Sequence, residues 1–233
     1  MKRDDIDFIK VAVVMFFFFY IGILVGNIFN WLNIDITGFS LTDWAVTDLS
    51  IKLFMSLLAG VIYFGYLESD FFKFKEKSKE LFKKSIHYFG VIIGIKFLVA
   101  ILITIVTVAY GLEVPQSQNQ STIDSLAQAA PVLIVISSLI FAPFLEEVIF
   151  RMGLYKIIKQ KHIFILVSGL IFGLMHIFPT NLPLAVAIMQ SITYVSIGFA
   201  LAYIYVKEQN IYLVMIVHAL NNLFGLVLML LFL

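Results

Sequence analysis

The chain has 233 residues, of which 61% are hydrophobic and 13% charged, with 24 Phe, a net charge of +1 and a mean hydropathy of +1.01. Soluble domains carry about a quarter charged residues, so this composition excludes that class and points to an all-α, polytopic membrane helical bundle. Cys is absent, which removes disulfides and thiolate metal sites.

A helix needs about 20 apolar residues to cross a hydrocarbon core of ~30 Å. Seven stretches qualify or nearly do: 8–29, 50–67, 88–110, 131–155, 163–182, 184–206 and 210–231. The first follows Lys2, Arg3 and Lys10, but Asp4, Asp5 and Asp7 interrupt that basic region and no A-x-A-like cleavage site follows, so it reads as a retained span. Phe16 to Phe19 read as lipid-facing or core packing, and Trp31 and Trp44 flank a loop with Asp35, Asp43 and Asp48, as in an interfacial belt. The basic loop 68–87 belongs to a segment, 71–89, that mixes aromatics with six Lys; it is expected along the inner surface against anionic lipid. Lys96, about 12 Å into the third span by helix rise, is expected to snorkel to that surface, with pairing to Glu146 or Glu147 as the alternative. The Gln- and Ser-rich stretch 112–130 is expected to be a mobile polar loop.

Basic residues alternate along the chain. Lys2, Arg3 and Lys10 precede the first span, Lys73 to Lys84 fill the second loop, Lys156, Lys159 and Lys161 the fourth, and Lys207 the sixth. The intervening loops 30–49 and 111–130 and the turn near 183 contain no Lys or Arg, which predicts a multi-pass cell-membrane protein with its N-terminus inside and its C-terminus, at Leu233, outside.

The fourth span is broken by Glu146-Glu147-Val148-Ile149-Phe150-Arg151. Translocon scales charge roughly 2.5–3.5 kcal/mol for one Asp, Lys or Arg at a helix centre, so such a cluster is a functional-site hypothesis. Glu147 and Arg151 are four apart and can pair; Glu146 points about 100° away, which leaves Glu147 structural and Glu146 chemical. Pro143 is expected to kink the helix and open room for water. His87 and His162 fall at loop edges, whereas His176 and His218 fall inside spans. Counted by helix rise from Tyr155, Phe164 and Ile211, Glu146 lies about 14 Å deep, His176 about 18 Å, His218 about 10 Å and Asn222 about 16 Å, so the four can meet in one layer. Phe172 and His176, like His218 and Asn222, are four apart; Gly169 and Gly173 allow close helix approach, and Asn221 points to a neighbouring helix. A poorly solvated carboxylate is a stronger base than one in water, and with an imidazole and two donors it suits hydrolysis. Zinc or iron on two Glu and two His is the competing chemistry, but no H-E-x-x-H is present.

E-E-x-x-x-R at Glu146, Glu147 and Arg151, F-x-x-x-H at Phe172 and His176, and H-x-x-x-N at His218 and Asn222 resemble three ordered motifs of the CAAX protease and bacteriocin-processing family, also called the ABI group of intramembrane proteases. The resemblance covers about 131–226, the expected catalytic core of a single membrane domain, 1–233, whose peripheral helices lie in 1–130. It implies that Glu146 activates water with help from His176, that His218 and Asn222 stabilise the oxyanion, that Glu147, Arg151 and Phe172 support them, and that no metal or other cofactor is needed. Better-known eukaryotic members have eight spans, one more than counted here.

The function expected is therefore an intramembrane endopeptidase that cleaves a peptide or membrane-associated protein near the inner half of the bilayer, with no nucleic-acid partner. The alternatives are a non-catalytic bacteriocin-immunity or regulatory scaffold and, with no visible repeat to support it, a transporter.

Overall fold

The computed structural model describes residues 3–177 and 180–232, so Lys2 and Leu233 lie outside the described part. The described residues are all-helical: α1 (Arg3–Trp31), α2 (Leu41–Ile62), α3 (Phe64–Glu76), α4 (Ser78–Tyr110), α5 (Gln118–Ala129), α6 (Pro131–Ile157), α7 (Lys161–Met175), α8 (Leu184–Glu208) and α9 (Ile211–Phe232). Six of them, α1, α2, α4, α6, α8 and α9, are long and apolar enough to cross a membrane. The expected fifth span, 163–182, is the 15-residue α7, about 22 Å long and too short to cross alone.

Two other expectations need correction. The second span begins nine residues earlier than expected, at Leu41 instead of 50. Ser40 and Asp43 form a reciprocal capping box there, and Lys52 is neutralised by Asp48 at 2.8 Å, so polar residues that argue against a span are satisfied locally. The 112–130 stretch carries α5 in place of a structureless loop. Ser117 caps it through Gln120 N, and Leu126 and Ala127 bury one face against Ala45, Ala130, Ile134 and Leu226.

The basic loop is two helices, α3 and the start of α4, broken at Lys77. Several of its polar groups fasten the helix ends together. Lys84 meets Glu208 at 2.9 Å, Asp70 accepts from Ile211 N at 3.1 Å, and Tyr66 donates to Asp7 at 2.8 Å. Lys10 and Lys156 both lie over the Tyr66 ring. The basic groups of 10, 73–84, 156 and 207 thus gather at one end of the bundle, while the Lys-free connections, α5 among them, lie at the other.

α7 and α8 form the closest helix pair. A Cβ built on Gly173 would lie 2.5 Å from Val195 Cα, and one on Gly169 2.8 Å from Phe199 N, so only glycine permits this approach. The packing holds the C-terminal end of α7, and with it His176, against the middle of the bundle.

Candidate active site

α6 is not a regular α-helix. Two π turns, Ser137–Phe141 and Val148–Gly153, flank the segment Ala142–Glu147 that carries the Glu pair. Pro143 explains the first. In the widened register Ala142 N–H reaches back to Ser137 O, five residues away; the next donor would be residue 143, which as proline has none. Ser138 O is thereby left free, and Asn222 Nδ2 donates to it at 2.9 Å. Giving the helix its missing donor, Pro143→Ala, is expected to let the backbone compete for Ser138 O and to release Asn222. Any activity that depends on this site should fall several-fold with little change in thermal stability, and unchanged kinetics would refute this account.

Behind the Glu pair lies a fully buried charge system. Arg151 Nη1 donates to Glu147 Oε1 at 3.2 Å, both side chains being 0% exposed. Arg151 also donates to Gly198 O at 3.3 Å, and its guanidinium lies 4.3 Å over the Phe172 ring. The same Glu147 oxygen receives His218 Nδ1 at 2.7 Å. A carboxylate beside a guanidinium is an acceptor, so Nδ1 carries a proton, and in its neutral form the ring presents a lone pair at Nε2.

His176 is fixed in the same sense. Its Nδ1 lies 2.7 Å from Phe172 O, which can only accept, so Nε2 is again the free lone pair. The ring sits 4.7 Å from Phe172 and stacks on Tyr194 at 4.8 Å and 12°. Glu146 Oε2 lies 3.9 Å from the Nε2 of both histidines and is buried without a hydrogen-bond partner. These separations exceed a hydrogen bond. Three lone-pair acceptors therefore converge on one point, an arrangement that can take a proton from a small donor and pass it among three groups.

The structure thus brings together Glu146, His176 and His218, and sets Glu147 with Arg151 behind them. Asn222 lines the same cavity and already spends one N–H on Ser138 O. Among the described residues no three His, Asp or Glu side chains are arranged to hold a metal ion.

The cavity has a volume of about 510 Å³ and runs from Glu146 and the two histidines past Lys96 to Asp48, Lys52 and Ser137, and on to Gln116 and Gln120 at α5. It reaches the Lys-free end of the bundle and not the basic end. Ser137 joins Lys52 and Asp48 in a closed ring of hydrogen bonds at 2.8 to 2.9 Å. Lys96 does not snorkel; its ammonium donates inward to Asn221 Oδ1 at 3.2 Å, and Asn221 donates on to Asn222 Oδ1 at 3.2 Å. Sequence reading passed over Tyr194, the Ser137 ring and this relay, whose members lie far apart in the chain; the one local signal was an unexplained mid-span lysine.

Residues 128–224, the stretch that holds all of these motif residues, match the family described as Type II CAAX prenyl endopeptidase Rce1-like. The chain carries an Rce1-like domain. Two bacterial relatives are similar over part of their length. The UPF0177 protein YvdC of Lactococcus lactis subsp. lactis (strain IL1403) is 36% identical over 141 residues, which cover 59% of this chain and 51% of YvdC. YdiL of Bacillus subtilis (strain 168), whose name makes it a candidate membrane peptidase, is 31% identical over 112 residues, 47% of this chain and 42% of YdiL. The chain thus spans about half the length of these curated relatives or less. No solved structure matches it. With six helices of spanning length and an Rce1-like domain, the chain is a multi-pass membrane protein.

Proposed function

We propose that the chain is an intramembrane endopeptidase in which Glu146 activates a water molecule for attack on a peptide carbonyl. The observation that carries this reading is the buried, unpartnered Glu146 Oε2 equidistant from the Nε2 atoms of two imidazoles. A water that donates one O–H to Glu146 and the other to His176 Nε2 gives the first proton to Glu146 as its oxygen bonds to the carbonyl carbon, while the second hydrogen bond fixes its position. A proton passed to His218 Nε2 makes that ring a donor, and Glu147 at Nδ1 stabilises the imidazolium. His218 and the second N–H of Asn222 then face the developing oxyanion. As the tetrahedral intermediate collapses, the C–N bond breaks and the proton goes to the leaving amine. Purified protein in lipid nanodiscs, incubated with a peptide pool and read by mass spectrometry, should yield defined internal cleavages that persist in chelator. Cleavage abolished by chelator and restored by zinc would replace this mechanism with a metal-dependent one.

The basic end of the bundle is proposed to face the cytoplasm, where Lys73 to Lys84 meet anionic headgroups, and the α5 end the exterior. Substrate then reaches Glu146 from outside the cell, past α5. The chain lacks Cys, so single cysteines report this directly. Gln120→Cys should react with a membrane-impermeant maleimide on intact cells and Lys79→Cys only after lysis; the reverse pattern would overturn the orientation.

A further inference from the structure

Lys52, Lys96 and Arg151 lie in the spanning helices away from the basic end of the bundle, and two of these three have a carboxylate. Lys52 has Asp48 at 2.8 Å and Arg151 has Glu147 at 3.2 Å. Lys96, in the middle of α4, has only neutral contacts among the described residues, namely Asn221 Oδ1 at 3.2 Å and the face of Phe224 at 5.8 Å. A mid-membrane ammonium is costly without an anion, and natural membrane proteins place such groups towards an interior cavity. Lys96 does line the cavity that holds Glu146, His176 and His218. An ammonium has three donors, and one of them serves Asn221.

We propose that Lys96 binds a carboxylate of the substrate, and so makes a peptide anion near the scissile bond the specificity determinant of this site. The inference rests on the reading of the cavity as a peptide site. Peptides bring carboxylates from two sources, the free C-terminus and an Asp or Glu side chain, and both suit a compact point charge. The contact also links binding to the reaction centre. Lys96 donates to Asn221, Asn221 to Asn222, and Asn222 to Ser138 O, so an anion drawn to Lys96 lies at one end of a relay whose other end is the turn preceding the Glu pair.

The test is binding, measured apart from turnover. In the Glu146→Gln protein in nanodiscs, fluorescence anisotropy compares three forms of one labelled hexapeptide, Ala-Leu-Ala-Val-Phe-Ala: the C-terminal amide, the free acid, and the amide with Glu in place of Val. At least one acidic form should bind about tenfold tighter than the neutral amide, and which one does so identifies the source of the carboxylate. Lys96→Met should remove the preference and Lys96→Arg should retain it. Equal binding of all three forms, no binding of any, or a preference that survives Lys96→Met would overturn the proposal. Because cleavage is not the readout, loss of the Glu146 mechanism would leave the binding preference standing, and the two failures are separable.

Discussion

Glu146→Gln is expected to lower the rate of peptide hydrolysis roughly 10²–10⁴-fold while the protein remains folded. The substitution keeps the size of the side chain and removes only its ability to accept a proton. Glu146 Oε2 has no hydrogen-bond partner to lose, and its side chain is 13% exposed, so little structural energy rests on its charge. The neighbouring Glu147 cannot substitute, because one of its oxygens is held by Arg151 and His218 and both are buried behind the cavity. Rates would be measured on a peptide cleaved by the parent protein, with the melting temperature in detergent as the control. A non-catalytic scaffold predicts the opposite: protection or regulation in cells would persist in Glu146→Gln. Full hydrolysis by the folded variant would end the glutamate mechanism.

Arg151→Met is expected to have the largest effect on stability, about 3–5 kcal/mol, because it leaves the fully buried Glu147 carboxylate without its cation. The loss should appear as a lowered unfolding midpoint in detergent, and with it activity at the growth temperature. The cause is separable from mere loss of packing. Adding Glu147→Gln to Arg151→Met removes the orphaned charge while keeping a carbonyl that can accept from His218 Nδ1, so the double variant should be more stable than Arg151→Met alone. It should still hydrolyse slowly, since a neutral amide stabilises the His218 imidazolium less than a carboxylate does. Additive destabilisation in the double variant would mean that Glu147 and Arg151 are not coupled.

Much of the site was legible because its chemistry is expensive. Charges inside apolar stretches stand out in one dimension, and i,i+4 spacing shows which of them share a helix face; Glu147–Arg151 is such a pair. What one dimension conceals is which face meets which neighbour. Lys96 read as a snorkelling side chain because helix rise gives depth and not azimuth, and its partner Asn221 lies 125 residues away. His218 and Asn222 were paired as free donors by their spacing, yet each has committed one group, to Glu147 and to Ser138 O. The second commitment follows from a π turn that no spacing rule announces. α2 and α5 were misjudged for a shared reason: polar residues that look unsuited to a membrane helix are satisfied by caps and by partners in other helices.

The shortness of α7 bears on the bilayer itself. At about 22 Å against a hydrocarbon thickness of about 30 Å, this helix creates a hydrophobic mismatch on its side of the bundle. Its basic end is anchored by Lys161 at the first turn, so the shortfall falls at the opposite end, where His176 terminates it. Lipid there must thin, or polar protein must fill the gap. Either response draws the aqueous boundary towards the depth of the imidazole, beside the cavity that holds Glu146.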